Sequence, residues 1–377
     1  MDDTSVCVSR IKLTYLLYLG LIRILLEGIL DYYFLDAVSW GYSQALYHAA
    51  AYLGREALFI LRPSTPYVCI GFHQDANQEI DLEFTTRNKI PVFRRDVGGG
   101  AVYLDGKQLF FQLVVKQNHR GVPLIIADFY REFLQPVIET YRHFGIPAEY
   151  KPVNDIIANG RKISGTGAAQ IDNMLILVGN FIQDFDYEIM AKCLRVPDEK
   201  FRDKVFKTMQ ENLTTILRET GGIPSNNDLA DELSKRYSKI LGKLTPKLLD
   251  TELIKKADQL LTKMNNPEWL MANDRRHPDL KQVKVSDGVF VIQKIHKTPG
   301  GIIRITAVNQ RGRLKNVHIS GDFFFFPARK IYDLEQKLEN VLAEEKRIDE
   351  IVKDFYQNQG IESPGVVPSD FSKIIIN

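Results

Sequence analysis

Hydrophobic and polar positions change period repeatedly along the chain, and each change predicts an element. Over residues 35–52 the apolar positions Leu35, Val38, Tyr42 and Leu46 recur every three to four residues, which predicts a helix. Residues 57–62 and 67–70 are short apolar runs on either side of Pro63-Ser64-Thr65-Pro66 and read as strands around a turn. A short helix over 82–88 and a strand over 90–93 follow. Residues 101–104 and 108–115 predict a hairpin through Asp105-Gly106. Residues 125–144 predict one long amphipathic helix, closed by Gly145 in the C-terminal position that favours positive φ. Strands over 174–184, a helix over 187–193 and a helix over 229–241 complete this part, the last preceded by a loop at 221–228 that supplies its N-cap.

Beyond Asn265-Asn266-Pro267 the pattern restarts. Strands are expected at 289–296, 302–308 and 314–319, with turns at 298–301 and 310–313. Helices are expected at 328–344, with Ile331, Leu334, Leu338 and Leu342 on one stripe, and at 348–357. Hairpins and separate helices in this mixture indicate an α+β fold rather than alternating βαβ units. A length of 377 residues suits two domains.

Composition alters this picture little. Apolar residues make up 45% and charged residues 25%, and the net charge is +2, so bulk electrostatics favour neither nucleic acid nor an anionic membrane. Residues 13–22 are uncharged but shorter than the ~20 apolar residues of a spanning helix. Cys7, Cys69 and Cys193 are scattered, without the spacing of a metal site or disulfide framework, which makes a reducing cytoplasm the expected location.

Candidate chemistry concentrates in two stretches. In Arg94-Arg95-Asp96-Val97-Gly98-Gly99-Gly100-Ala101-Val102-Tyr103, three glycines let a ligand approach the backbone, and the arginines offer donor forks for phosphate or carboxylate. No Gly-Lys-Ser/Thr follows, so this is not a Walker loop. In Asn154-Asp155-Ile156-Ile157-Ala158-Asn159-Gly160-Arg161-Lys162-Ile163-Ser164-Gly165-Thr166-Gly167, Asn159-Gly160 predicts a type I′ hairpin. Alternation along its return strand separates Arg161 and Ile163 from Lys162 and Ser164. Lys162 beside glycine-rich turns is a candidate for binding an anionic oxygen.

These stretches resemble the lipoate–protein ligases of the biotin/lipoate ligase superfamily. Pro66-Tyr67-Val68-Cys69-Ile70-Gly71-Phe72-His73-Gln74, the Arg94–Asp105 stretch, Asn154-Asp155-Ile156 with Arg161-Lys162-Ile163-Ser164-Gly165, and Leu194-Arg195-Val196-Pro197-Asp198-Glu199-Lys200 occur in the family's order, and the resemblance spans about residues 23–244. Lys297-Thr298-Pro299-Gly300-Gly301 and Ile319-Ser320-Gly321-Asp322-Phe323-Phe324-Phe325 resemble the family's accessory domain, here fused behind the catalytic unit.

The resemblance implies a mixed or antiparallel-sheet catalytic domain over 23–250, an N-terminal extension over 1–22 and a small α+β accessory domain over 251–377. It implies activation of lipoate by ATP and Mg²⁺ to lipoyl-AMP, then transfer to a lysine of a lipoyl-domain acceptor such as a 2-oxoacid dehydrogenase E2, a glycine-cleavage H protein or another lipoate-binding protein. Lys162 is the expected catalytic residue. Arg95, Gly98, Gly99, Gly100, Ala101, Val102, Tyr103, Asn154, Lys162 and Gly165 are the expected lipoyl-AMP and ATP contacts, and Asp155 is the expected metal ligand. The apolar tunnel for the lipoyl tail is expected along strands 67–70 and 92–93, Lys297 reads as a turn residue or a phosphate contact, and the fused accessory domain suggests a self-sufficient monomer.

Two departures stand out: Leu104 occupies a position where the family usually has His, and Val178-Gly179-Asn180 replaces His-Gly-Thr. Lipoyl and octanoyl transferases of the superfamily use a cysteine nucleophile, and neither of their usual positions carries Cys here. Cys69 and Cys193 read as packing residues, as do Phe323–Phe326. A binding module without turnover is the reading from a different class, and lipoate-dependent exchange between ATP and pyrophosphate separates it from the ligase.

Overall fold

A computed structural model describes residues 29–274, 284–286 and 288–376; the expected N-terminal extension lies outside them. The central sheet has six strands in the order β10-β11-β6-β2-β1-β12, formed by β1 (Ile29–Val38), β2 (Ala57–Pro63), β6 (Gln108–Lys116), β10 (Thr166–Ile171), β11 (Met174–Ile182) and β12 (Lys243–Pro246). Its β12, β1 and β2 run parallel, while β2, β6, β11 and β10 are antiparallel, so the sheet is mixed. Two small sheets flank it: β3 (Tyr67–Ile70) between β4 (Val92–Arg94) and β5 (Val102–Leu104), and a meander of β7 (Ala148–Lys151), β8 (Asp155–Ala158) and β9 (Arg161–Ser164).

Long-range pairing overrides two local expectations. Residues 35–38 carry a helical period but extend β1, because Leu35, Ala37 and Val38 pair with Leu61, Arg62 and Pro63 of β2; the helix begins at Trp40 and ends at Tyr52. Residues 102–104 and 108–116 are strands, but not a hairpin: β5 pairs with β3, and β6 pairs with β2 and β11. The long helix expected over 125–144 is two, Ile126–Phe133 and Gln135–His143, because Pro136 has no N–H to continue the ladder and sits in the first turn of the second. Gly145 does take positive φ, at 81°.

The large core lies between the central sheet and the helices Trp40–Tyr52, Ile126–Phe133, Gln135–His143 and Asn226–Leu241. Helix Thr251–Met264 also belongs here: Leu253, Ala257, Leu260 and Met264 are buried in this core, and the Tyr42 hydroxyl bonds Asp258. The expected division at residue 250 assigned that helix to the C-terminal unit; its apolar stripe packs on the catalytic side instead. The C-terminal unit is an antiparallel sheet of β13 (Lys284–Ser286), β14 (Val289–Thr298), β15 (Gly301–Gln310) and β16 (Arg313–Gly321); a second core forms between β15, β16 and helices Lys330–Leu338, Glu345–Gln359 and Pro368–Ile376. Among the described residues no helix is long and apolar enough to cross a membrane.

Candidate functional site

The glycine-rich stretch is gripped from inside the protein. The Arg95 guanidinium donates from Nη2 to the carbonyls of Gly98 at 2.8 Å and Gly100 at 2.9 Å, and from Nη1 to the Cys69 carbonyl at 3.2 Å. Gly99 has φ +90° and donates its N–H to the Phe323 carbonyl of the C-terminal unit at 3.4 Å. A Cβ on Gly71 would overlap the Gly99 carbonyl, so the strand-end turn and the loop interlock backbone to backbone. Arg95 still reaches the cavity wall, but these donors, read from sequence as ligand contacts, hold the loop's own carbonyls.

Arg94 turns the other way. Its guanidinium is fully buried and bonds the carbonyls of Phe72 at 2.9 Å and Leu270 at 2.6 Å, with Asp274 Oδ1 at 3.5 Å. Beside it, burial and Asp274 push the Asp75 carboxyl up to about 6. Burial, reinforced by Arg94, pushes the neighbouring His73 imidazole down to about 3.

The β8–β9 hairpin forms as the sequence dictates. Asn159 and Gly160 have φ of 49° and 77°, the two positive values that a type I′ turn requires. Alternation then sends Arg161 outward to Glu219, at 2.8 Å, while Lys162 Nζ meets Asp155 Oδ1 at 2.6 Å. Both members of that pair remain partly exposed in the cavity. Asn154 donates from Nδ2 to the Thr166 carbonyl at 2.7 Å, and Gly165 N–H donates to Asn180 Oδ1 at 2.8 Å, which pins the hairpin to the central sheet.

One cavity of 430 Å³ collects these groups. Of the residues singled out from the sequence, Arg95, Gly99, Gly100, Val102, Asn154, Asp155, Lys162 and Gly165 line it. Gly98, Ala101 and Tyr103 do not. Alternation along β5 sends Val102 and Leu104 to the cavity and Tyr103 into a separate cluster with Met190 and Cys193; Gly98 lies under the backbone of Phe323 and Phe324. Of the strands expected to form the apolar tunnel, only Cys69 contributes; the apolar lining is completed by Val102, Leu104, Phe110, Val178 and Phe324.

Leu104 and Val178, the two departures from the family pattern, thus face one space. Gln44, Gln112 and Asn180 also line it, with amides tied to Tyr67, Ser43 and Gln108 respectively. Thr166, Gly167 and Gly179 of the central sheet add to the lining, and the second domain contributes Pro299, Gly300, Gly301, Asp322 and Phe324. All five fall within the two stretches that resemble the accessory domain, and Lys297, beside the Gly300-Gly301 turn, is exposed and outside the lining. Cys69 is fully buried and its thiol is pushed up by that burial, although Arg95 opposes the shift.

This arrangement offers an apolar compartment, a partly exposed ammonium–carboxylate pair and a glycine-rich backbone around one space. It suits an anionic head group on an apolar tail. Residues 36–238 match the family described as the lipoyl protein ligase A/B catalytic domain, and residues 289–375 match the bacterial lipoate protein ligase C-terminus. The chain is 31% identical to lipoate-protein ligase A subunit 1 of Thermoplasma acidophilum over 48% of its own length and 70% of that protein's. It is 25% identical to octanoyltransferase LipM of Kyrpidia tusciae over 54% of the chain and 82% of that protein. It is 24% identical to lipoate–protein ligase 1 of Staphylococcus aureus over 80% of the chain and 85% of that protein. Among solved structures, a bipartite lipoate protein ligase studied with its E2 lipoyl domain from Thermoplasma acidophilum superposes with a TM-score of 0.58 at 24% identity, over 67% of this chain and all of that one. A lipoate-protein ligase A bound with ATP superposes with a TM-score of 0.55 at 23% identity, over 64% of this chain and 98% of that one. At these identities the superpositions establish the shared fold.

Proposed function

Because the chain belongs to the lipoyl protein ligase A/B catalytic family, we propose that it is an ATP-dependent lipoate–protein ligase acting on lipoyl-domain proteins. The observation that carries this reading is Lys162, held by Asp155 at 2.6 Å on the wall of a cavity lined both by apolar side chains and by the glycine-rich loop. In the first half-reaction a lipoate carboxylate oxygen attacks the α-phosphorus of ATP, the α–β phosphoanhydride breaks and pyrophosphate leaves. Two anions must meet for this, and Lys162 would bridge the carboxylate and the α-phosphate. In the second, the acceptor amine attacks the acyl carbon of lipoyl-AMP, loses a proton and expels AMP, while Lys162 would polarise the acyl carbonyl.

Asp155 would hold Mg²⁺, which would neutralise phosphate charge. An ion that takes one or two carboxylates together with phosphate oxygens and water fits Asp155, which stays partly exposed on the cavity wall. The neighbours described with bound ATP and with an E2 lipoyl domain support nucleotide and acceptor of these kinds.

Octanoyltransferases among the relatives favour a second reading, acyl transfer from a carrier without ATP. That chemistry needs an accessible thiolate. Cys69 lines the cavity but is buried with its thiol pushed up, and Cys193 lies in the cluster behind Tyr103. A match over 80% of the chain, such as that to the Staphylococcus ligase, necessarily reaches the C-terminal domain, which also supports the ligase.

The test is the intact mass of a lipoyl-domain acceptor incubated with the protein, ATP, Mg²⁺ and lipoate, beside a Lys162→Met control. A lipoyl adduct that requires ATP, reduced at least ~10²-fold in rate in the control, is the expected result. Acyl transfer from an octanoylated carrier without ATP would replace the ligase reading with the transferase one.

A further inference from the structure

The central sheet carries the cavity lining inward from its β10 edge. Gly167 of β10 pairs with Val178 of β11, and Val178 pairs with Gln112 of β6, so the three share one face, and all three line the cavity. The Lys162–Asp155 pair stands at the other end: Asn154, next to Asp155, bonds the Thr166 carbonyl of the edge strand. From β10 to β6 is two strand spacings, about 10 Å in total. Gln112 therefore lies where the far end of an octanoyl-length chain arrives when its carboxylate meets Lys162.

Three amides line this cavity, and two of them are served at both ends. Gln44 donates from Nε2 to the Tyr67 hydroxyl at 2.6 Å, and its Oε1 accepts from the Tyr47 hydroxyl at 3.0 Å. Asn180 donates from Nδ2 to Gln108 Oε1 at 2.7 Å, and its Oδ1 accepts the Gly165 N–H at 2.8 Å. Gln112 differs. Its Nε2 donates to the Ser43 carbonyl at 2.6 Å, on helix Trp40–Tyr52. That bond fixes the amide, since the reverse orientation would set two acceptors against each other. Gln112 Oε1 is buried and has no hydrogen-bond partner among the described residues. Leu104, Phe110 and Val178, which line the same cavity, carry no donors. A buried acceptor left without a donor costs free energy, and a ligand that brings the donor recovers it.

We propose that Gln112 is a specificity-determining residue that selects acyl chains bearing a hydrogen-bond donor at their far end, and so takes the reduced, dithiol form of lipoate in preference to the ring disulfide. The inference rests on the ligase reading and names the form of its acid substrate. A ring disulfide and a plain octanoyl chain have no donor to offer, so either one leaves Oε1 unpaired. The dithiol presents S–H groups, which are weak donors but the only ones such a tail can carry. Both sulfurs pass through adenylation and transfer unchanged; the dithiol is made beforehand, by a reaction that reduces the ring disulfide.

The test compares acids of one length on the full chain, read as the intact mass of a lipoyl-domain acceptor with ATP and Mg²⁺ present. Octanoate and ω-hydroxyoctanoate compete in one tube, where the ratio of the two adducts is the ratio of their kcat/KM values. The hydroxyl is a stronger donor than a thiol in the same place. Lipoate and its dithiol are assayed in separate anaerobic tubes, the dithiol with a phosphine reductant, because the two interconvert. In wild type the hydroxylated acid is expected to lead octanoate about tenfold, and the dithiol to lead lipoate about threefold. In Gln112→Met, similar in length but without the acceptor, both ratios are expected to fall to about one or below. Val178→Ala reshapes the same compartment and leaves the acceptor, so it is expected to shift the KM values together and keep both ratios. A wild-type ratio near one for either pair, or ratios unchanged in Gln112→Met, overturns the proposal. The wild-type comparison decides even if Gln112→Met folds poorly. A wild-type protein that forms no adduct with any of these acids in the presence of ATP overturns the ligase reading instead.

Discussion

Replacing Arg94 with Met keeps an apolar stem of similar length and removes one buried guanidinium. The consequences can be worked from its contacts. Nη1 serves the Phe72 carbonyl at 2.9 Å and Gly71 at 3.3 Å; Nε serves Leu270 at 3.0 Å and Trp269 at 3.1 Å; Nη2 serves Leu270 again at 2.6 Å. Each buried carbonyl left without a donor costs about 1–3 kcal/mol, and some of these groups will recover partners by relaxation. Asp274 keeps the backbone N–H groups of Ala76 at 2.7 Å and Asn77 at 2.9 Å but loses its buried cation. Removing one member of a buried ion pair costs about 3–5 kcal/mol. These effects overlap, so the expected net loss is about 3–5 kcal/mol, a large share of the ~5–15 kcal/mol that stabilises a typical domain.

Urea unfolding followed by tryptophan emission is the assay. The indole of Trp269 donates to the Arg94 carbonyl at 2.9 Å, so one of the two tryptophans reports directly on the altered site. A lower midpoint with an unchanged m-value is the expected signature. A loss below about 1 kcal/mol would mean that the buried guanidinium does not hold the strand-end turn to the 267–274 segment, and the assignment of Arg94 to structure rather than ligand would fall.

Three further outcomes follow from the geometry. Val178→Trp projects a large ring into the acyl compartment and is expected to raise the lipoate KM at least about tenfold, equivalent to ~1.4 kcal/mol, without lowering the melting temperature; an unchanged KM would remove Val178 from the lipoate site. His73 has its folded-state pKa depressed to about 3 from an ordinary value of 6.5, so its stabilising contribution is present above pH 6.5 and is lost as pH falls from 6.5 towards 3, at up to about 1.4 kcal/mol per pH unit. Asp75, raised to about 6, works in the opposite sense: its contribution is present below 3.8 and is lost as pH rises through 6. Comparing wild type with His73→Phe between pH 7 and 5 isolates the histidine; parallel stability curves would show that burial does not suppress its protonation. Gly100→Ala meets only Asp322, at 3.8 Å, and is expected to keep the wild-type urea midpoint, whereas a methyl group on Gly98 would come within 2.9 Å of the Phe323 carbonyl and is expected to lower it; equal midpoints would refute the separation of loop roles.

What the sequence determined by itself is local. Asn159-Gly160 requires a type I′ turn whatever surrounds it, so the hairpin and the inward aim of Lys162 follow from backbone preference and alternation alone. The same holds for Gly145 closing a helix, for the meander of the second domain, and for the ordered motifs that identify the family. Tertiary structure decided whatever depends on partners distant in the chain. Residues 102–104 and 108–116 look like one hairpin, yet each finds a better-matched neighbour elsewhere, because a strand is completed by whichever edge bonds it. Arg94 and Arg95 are adjacent and chemically identical, yet they serve carbonyls on opposite sides, since a strand sends successive side chains to opposite faces. The phenylalanine run reads as core from composition, but only the packing of two domains against its two faces makes it a seam. The cavity itself joins walls more than 200 residues apart, from Gln44 to Phe324, and no local propensity encodes a space that exists only when both domains are folded and docked.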